Sequence, residues 1–155
     1  MIDVKTITSS DDLHKIVHEI NHAAWDDANE MSEYDVESLS AYLERQDTLL
    51  VACHDLSSDP PTLLGIASSR IEIKPYGKEL WLYVDEVDVC SDQRQKGAGK
   101  AMMKKIIEIA NEKGCEEVWL GAEAGNTAAN ALYLSLGQGE VSQVVGYTFE
   151  INKKD

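Results

Sequence analysis

The sequence predicts an α+β fold: a mixed, largely antiparallel sheet flanked by helices, with one parallel, splayed pair of strands. Three observations predict it. Three β-type runs follow one another at 48–54, 62–73 and 80–90 with no helix between them, and consecutive strands joined by turns form an antiparallel meander. The last of these runs leads into a helical pattern at about 97–113 and then a strand at about 116–123. A strand–helix–strand crossover of that kind sets its two strands parallel. The length, 155 residues, suits one domain over 1–155 with one hydrophobic core.

The elements can be justified in order. Residues 4–8 read as a short strand. Ser9 or Ser10 can cap a helix over about 11–24, with Leu13, Ile16, Val17, Ile20 and Ala24 on one face. A weaker helix covers about 35–45, striped by Val36, Leu39, Tyr42 and Leu43, and an acidic link from Asp26 to Asp35 precedes it. The breaker cluster Asp55-Leu56-Ser57-Ser58-Asp59-Pro60-Pro61 is a loop between the first two strands of the meander. Pro75-Tyr76-Gly77-Lys78 turns the chain between the next two. Gly114 ends the long helix. Val118-Trp119-Leu120 marks the following strand, 127–136 is a short helix stopped by Gly137, and 144–151 is a final strand.

Composition narrows the function. Apolar residues are 43% and charged residues 27%, the mix of an ordinary globular protein. No run approaches the ~18 apolar residues of a membrane span, and the N-terminus lacks a signal-peptide pattern. Cys53, Cys90 and Cys115 are odd in number and irregularly spaced, which fits a reducing cytoplasm better than a disulfide framework. The net charge is −14, which disfavours nucleic acid. Residues 1–92 hold 20 acidic and 6 basic side chains, whereas 93–155 hold 8 of each. The first three-fifths of the chain therefore attracts cations, although solubility alone is a sufficient reason for such a charge.

One basic island interrupts this field. Between the strand at 80–90 and the long helix lies Arg94-Gln95-Lys96-Gly97-Ala98-Gly99-Lys100. The first-turn N–H groups of a helix have no partner inside it, and with the helix dipole they form an anion site. The spacing is neither the P-loop nor the dinucleotide fingerprint. Downstream stands Asn126-Thr127-Ala128-Ala129-Asn130-Ala131-Leu132-Tyr133-Leu134-Ser135-Leu136-Gly137.

An Arg-x-x-Gly-x-Gly turn, a helix, a strand, and then Asn-x-x-Ala-x-x-Leu-Tyr-x-x-Leu-Gly resemble the GNAT superfamily of N-acetyltransferases. The resemblance covers roughly 80–151, and residues 1–79 match by element order. It implies that the turn formed by Arg94, Gln95, Lys96, Gly97, Ala98, Gly99 and Lys100 binds the diphosphate of acetyl-CoA, with no metal. It implies that strand 80–90 splays from its parallel neighbour and offers Val87 and Val89 to the pantetheine arm. Asn126 would contact that arm or fix the local turn, Ala129 would allow close packing, and Tyr133 would reach the thioester sulfur. A homodimer is a further implication.

The chemistry of the residues agrees with the resemblance. Amine attack on a thioester needs a neutral nucleophile, a donor for the developing oxyanion and a proton for the leaving thiolate. A bulge near Val87–Val89 would free backbone N–H groups for the oxyanion, and a tyrosine hydroxyl can supply the proton. Glu86 is the first candidate for the base and Asp88 the second; binding of a cationic substrate is the competing role for both. Strand alternation sets Glu86 and Asp88 at odds with Asp85 unless a bulge resets the phase.

The acidic half favours a cationic amine, with Asp26, Asp27, Glu30 and Asp85 as substrate-binding candidates beside Glu33, Asp35 and Glu37. The C-terminal part is more loosely similar to the aminoglycoside 3-N-acetyltransferase branch, though Gly137-Gln138-Gly139 departs from the Gly-Phe common there. The expected acceptor is thus an aminoglycoside or similar polyamine; a protein or peptide amine, or acyl-CoA binding without turnover, are the alternatives. His14, His18 and His22 share a helix face and read as a solvated or substrate-facing edge. Trp25, Tyr34 and Tyr42 read as packing residues or as walls of an acceptor pocket.

Overall fold

The computed structural model describes residues 1–137 and 139–152. The chain divides into two compact units, Met1–Leu120 and Gly121–Asp155.

The first unit is built on a five-stranded sheet of β1 (Ile2–Thr6), β2 (Thr48–Asp55), β3 (Thr62–Ile73), β4 (Leu80–Val89) and β5 (Cys115–Trp119), in that spatial order. The first three pairings are antiparallel, and β4 pairs with β5 in parallel. Three helices complete the unit: α1 (Leu13–His22), α2 (Val36–Glu44) and α3 (Ala98–Glu112). The second unit contains α4 (Thr127–Leu134). The α+β mixed sheet with one parallel pair is therefore as the sequence predicts.

The helices form where apolar spacing and caps coincide. In α1 the apolar residues Leu13, Ile16 and Ile20 are buried, but its cap is Asp12, which accepts from the Lys15 N–H, rather than Ser9 or Ser10. Asp11 accounts for the shift: its carboxylate accepts from the Thr8 N–H at 2.8 Å and closes a separate turn over those serines. Asp35 caps α2 through the Ser38 N–H. Ile7, Leu13, Ile16, Ile20, Leu39, Leu50, Ala52, Leu63, Ile66 and Cys90 form a core that joins α1 and α2 to one face of the sheet. Burying such side chains contributes about 1.5–3 kcal/mol each, before the cost in chain entropy.

Helix α3 packs on the other face through Met102, Met103 and Ile106, all fully buried. Gly65 on β3 is required there. A Cβ at this position would lie 2.5 Å from the Asp88 carbonyl oxygen and 2.9 Å from Met102 Cε.

The expected final strand at 144–151 is not formed. None of the described residues from 139 to 152 belongs to a helix or strand, and their apolar side chains are exposed. The β pattern is present in the sequence, but a strand exists only where a neighbour takes its N–H and C=O groups.

Gly65→Ala tests the close approach of β3, β4 and α3. Overpacking against backbone costs about 3 kcal/mol, so the melting temperature should fall by several degrees or more. An unchanged thermal transition would show that the contact relaxes freely.

Candidate active site

The site begins where two strands part. Strands β4 and β5 are paired from Leu80↔Cys115 to Tyr83↔Trp119, whereas β4 continues to Val89. Just beyond the parting, Ser69 faces Val84 and Ser68 faces Glu86, so Asp85 is an extra residue bulged out of β4. The expected bulge thus lies at Asp85, not at Val87–Val89. Arg70 holds it by donating from Nε to Asp85 Oδ1 at 3.1 Å. Bulges bend and twist the strand that carries them, which turns β4 away from the line of β5.

The bulge also sets the phase of the carboxylates. Glu86 and Asp88 face Ser68 and Ile66, which in turn face Leu50 and Ala52 of the α1/α2 core. Both carboxylates therefore lie on the α1/α2 face. The Cys90 N–H donates to the Leu64 carbonyl at 2.8 Å. Alternation along an antiparallel ladder then directs the Asp88 backbone toward β3 and the N–H and C=O groups of Val87 and Val89 toward the side vacated by β5.

The end of β4 runs through a turn of 3-10 helix, Ser91–Gln93, into α3. Gln95 (φ 65°) and Gly97 (φ 81°) are left-handed. A Cβ on Gly97 would meet nothing within 4 Å, so glycine is required here by backbone conformation and not by space. Gly97 is also the N-cap of α3, and no side chain caps the helix. The first-turn amides of Ala98, Gly99 and Lys100 therefore have no side-chain cap. Lys96 Nζ donates to Gln93 Oε1 at 2.6 Å. This uncapped, basic helix end and the open strand edge fit a ligand with a diphosphate and an amide-bearing arm.

The acidic link is tied to the same place. Arg94 pairs with Asp26, the Ser91 N–H donates to the Ala24 carbonyl at 2.8 Å, and Asn29 Nδ2 donates to Asp88 Oδ1 at 2.9 Å. Asp26 is thus occupied by an arginine of the turn, and Asp85 by Arg70. Asp27 and Glu30 are exposed. Burial, then the charges of Asp88, Asp85 and Glu30, push the Glu86 carboxyl above its ordinary range. Burial also raises Asp88, with the Asn29 hydrogen bond opposing and the Asp26 charge adding. Asp88 is only 6% exposed and its Oδ2 has no hydrogen-bond partner among the described residues.

A pocket of about 290 Å³ opens on this face, lined by Ser32, Glu33, Tyr34, Asp35, Ser38, Leu39, Tyr42, Leu50 and Ser68. Ser68 is the cross-strand partner of Glu86. Burial, then the charges of Glu86 and Asp88, raise the Tyr34 hydroxyl to about 12, which keeps it a neutral donor. Tyr42 donates its hydroxyl to the Leu49 and Ser69 carbonyls, each at 3.0 Å. Both tyrosines therefore pack against the core and also wall the pocket. Ser38 and Tyr42 stand one turn apart on α2, and only the packing of that helix against the sheet brings Ser68 of β3 beside them. His14, His18 and His22 are exposed, and His18 stacks on His22 at 4.0 Å.

In the second unit, Asn126 caps α4 by accepting from the Ala129 N–H at 3.1 Å. Asn126 thus fixes the local turn, the second of its two expected roles. Ala129 and Tyr133 are half-buried.

The model of the acetyltransferase (GNAT) family matches residues 13–138. The chain belongs to the GNAT acetyltransferase family. Among relatives, it is 30% identical over 66 residues to thialysine N-epsilon-acetyltransferase of Bos taurus, covering 43% of this chain and 39% of that protein. It is 36% identical over 56 residues to the [ribosomal protein bS18]-alanine N-acetyltransferase of Escherichia coli strain K12, covering 36% of this chain and 38% of that protein. The match spans about two-fifths of the length of these GNAT relatives. The fold is similar to that of an aminoglycoside acetyltransferase, meta-AAC0020, from an uncultured soil metagenomic sample in complex with sisomicin. That likeness has a TM-score of 0.82 at 20% identity and covers 97% of both chains.

Asp88→Asn tests the buried carboxyl. The folded protein holds the Asp88 proton more tightly than the unfolded chain, so stability is lost as pH rises through the raised pKa. The amide keeps an acceptor for Asn29 and removes the buried charge. The variant should melt higher than the parent near neutral pH, with the gain vanishing below the ordinary carboxylate range. A gain independent of pH would contradict this account.

Proposed function

We propose that the chain is an acetyl-CoA-dependent N-acetyltransferase whose acceptor is a primary amine of a cationic small molecule of the aminoglycoside type. The observation that carries this reading is the acid-lined pocket on the α1/α2 face, next to the bulged segment with Glu86. Glu33 and Asp35 line it, and Glu30 is close enough to raise Glu86. Such a site favours an ammonium group over a neutral or acidic acceptor. The likeness of fold to meta-AAC0020 supports the same substrate class.

When bound, acetyl-CoA supplies an activated acetyl thioester. The first-turn amides of α3, with Arg94, Gln95, Lys96, Gly97, Ala98, Gly99 and Lys100, would hold its diphosphate. The backbone groups of Val87 and Val89 would hydrogen-bond its arm. Arg94 must exchange Asp26 for that diphosphate, one anion for another. The extra residue at Asp85 leaves the ladder locally unpaired, and a strand N–H there suits a developing oxyanion.

Glu86 takes the proton from the ammonium, directly or through water. Its raised pKa brings its basicity closer to that of the group it deprotonates. Asp88, buried and bonded to Asn29, orients this segment. The family pattern around Asn126, Ala129 and Tyr133 implies that the Tyr133 hydroxyl would supply the proton that the departing thiolate takes up. A second reading is acetylation of a protein or peptide amine, supported by the E. coli relative named for an alanine of ribosomal protein bS18.

Thiol release from acetyl-CoA should be measured with kanamycin-type, gentamicin-type and spermidine acceptors beside peptides and neutral amines. Turnover of the polycationic small molecules is expected. Turnover of peptides alone would favour the second reading, and turnover of only neutral or acidic amines would reject the cationic site. Glu86→Gln should lower kcat by ~10²-fold or more and remove the acid limb of the kcat/KM profile, which should lie above the ordinary glutamate range. Tyr133→Phe should lower kcat with acetyl-CoA affinity kept; an unchanged kcat would remove it as the acid.

A further inference from the structure

The seven residues from Ala24 to Glu30 link the turn before α3 to the carboxylates of β4. At one end the Ser91 N–H and Oγ both donate to the Ala24 carbonyl, at 2.8 and 3.2 Å, and Asp26 pairs with Arg94. At the other, Asn29 Nδ2 donates to Asp88 Oδ1 at 2.9 Å. Two reciprocal bonds close the stretch between them. The Asp26 N–H donates to Asn29 Oδ1 and the Asn29 N–H to the Asp26 carbonyl, each at 3.0 Å. A bonded route therefore runs from Arg94 through Asp26 and Asn29 to Asp88.

Two carboxylate oxygens on this route lack a donor. Asp26 Oδ1 and Asp88 Oδ2 are buried with no hydrogen-bond partner among the described residues, and Asp88 as a whole is 6% exposed. The Asp26 charge reaches Asp88. Buried acceptors without donors are costly, and an ammonium group would bring donors and the opposite charge together. Arg94 stands in the way, because it neutralises Asp26 through the other oxygen. That pair is open to solvent, its side chains 49% and 36% exposed. A diphosphate can therefore take the guanidinium without disturbing the core.

Resting on the coenzyme-dependent reading above, we propose that Asp26 is an internal stand-in for the coenzyme diphosphate on Arg94, and that once displaced it joins Asp88 as a ligand for the ammonium group of the acceptor. Each ligand then favours the other. Coenzyme frees the carboxylate that the amine needs, and an amine on Asp26 frees the arginine that the coenzyme needs.

Calorimetric titrations of the full chain with coenzyme A and with a kanamycin-type amine test this without turnover. Asp26→Asn should bind coenzyme A about two- to fivefold more tightly than the parent, the scale of an exposed ion pair, because the competitor is gone. In an Arg94→Gln background the same substitution should change nothing, whereas a general loss of negative charge would tighten binding in both. In the parent the amine should bind more tightly with coenzyme A present, by about the same factor, and Asp26→Asn should abolish that gain. Should Asp26→Asn fail to fold, the parent's amine affinities with and without coenzyme A still decide. Equal coenzyme affinity in parent and Asp26→Asn, equal tightening in both backgrounds, or an amine affinity indifferent to coenzyme would each overturn the proposal and leave the acetyltransferase reading in place. Failure of the parent to bind coenzyme A at all, or to bind the amine in either state, would overturn that reading and the proposal with it.

Discussion

The parting of β4 from β5 after Tyr83 and Trp119 is the constraint on which the rest of the molecule depends. Two parallel strands that stayed together would satisfy each other's backbone groups and leave nothing for a ligand. Here β5 is five residues long and β4 is ten, and the bulge at Asp85 bends β4 just past their last pair. The backbone of Val87 and Val89 is thereby presented along an open edge that leads into the uncapped N-terminus of α3. One irregularity in one strand thus opens the edge of β4 and brings Glu86 and Asp88 round to the α1/α2 face.

That arrangement is held by contacts that serve the site more than the core. Arg70 clamps the bulge through Asp85 and lies 5.2 Å over the Tyr83 ring. Asn29 fastens Asp88, and Arg94 fastens Asp26. Each costs something, in exposed ion pairs of small net worth or in a buried carboxyl raised by its surroundings. Local rules are commonly broken where a fold prepares chemistry. The raised Glu86 follows from the same crowding of carboxylates that makes the neighbouring pocket attractive to a cation.

Much of this was legible in the sequence. The order of elements from β1 to α4 follows from apolar spacing and breakers, and the turn from Arg94 to Lys100 stood out as a basic, glycine-bearing island in an acidic chain. What was hidden depends on contacts distant in sequence. The bulge at Asp85 has no local signature, because it exists only in the register against Ser68 and Ser69. Gly65 reads as an ordinary strand glycine until Met102 and the Asp88 carbonyl are set against it. The pocket joins Tyr34, Ser38 and Tyr42, in and just before α2, to Ser68 of β3. Substrate carboxylates chosen by charge alone included Asp26 and Asp85, which the fold assigns to arginines. The strand pattern at 144–151 was visible, but a pattern names no partner.

The most direct measurement is a titration of ¹⁵N-labelled protein with coenzyme A, followed through its backbone amide resonances. The account predicts that the largest shifts fall on Val87, Val89 and the amides of Gly97 to Lys100, two separate stretches responding with one affinity. Shifts confined to other regions, or a β4 edge that stays silent while the helix terminus responds, would contradict it.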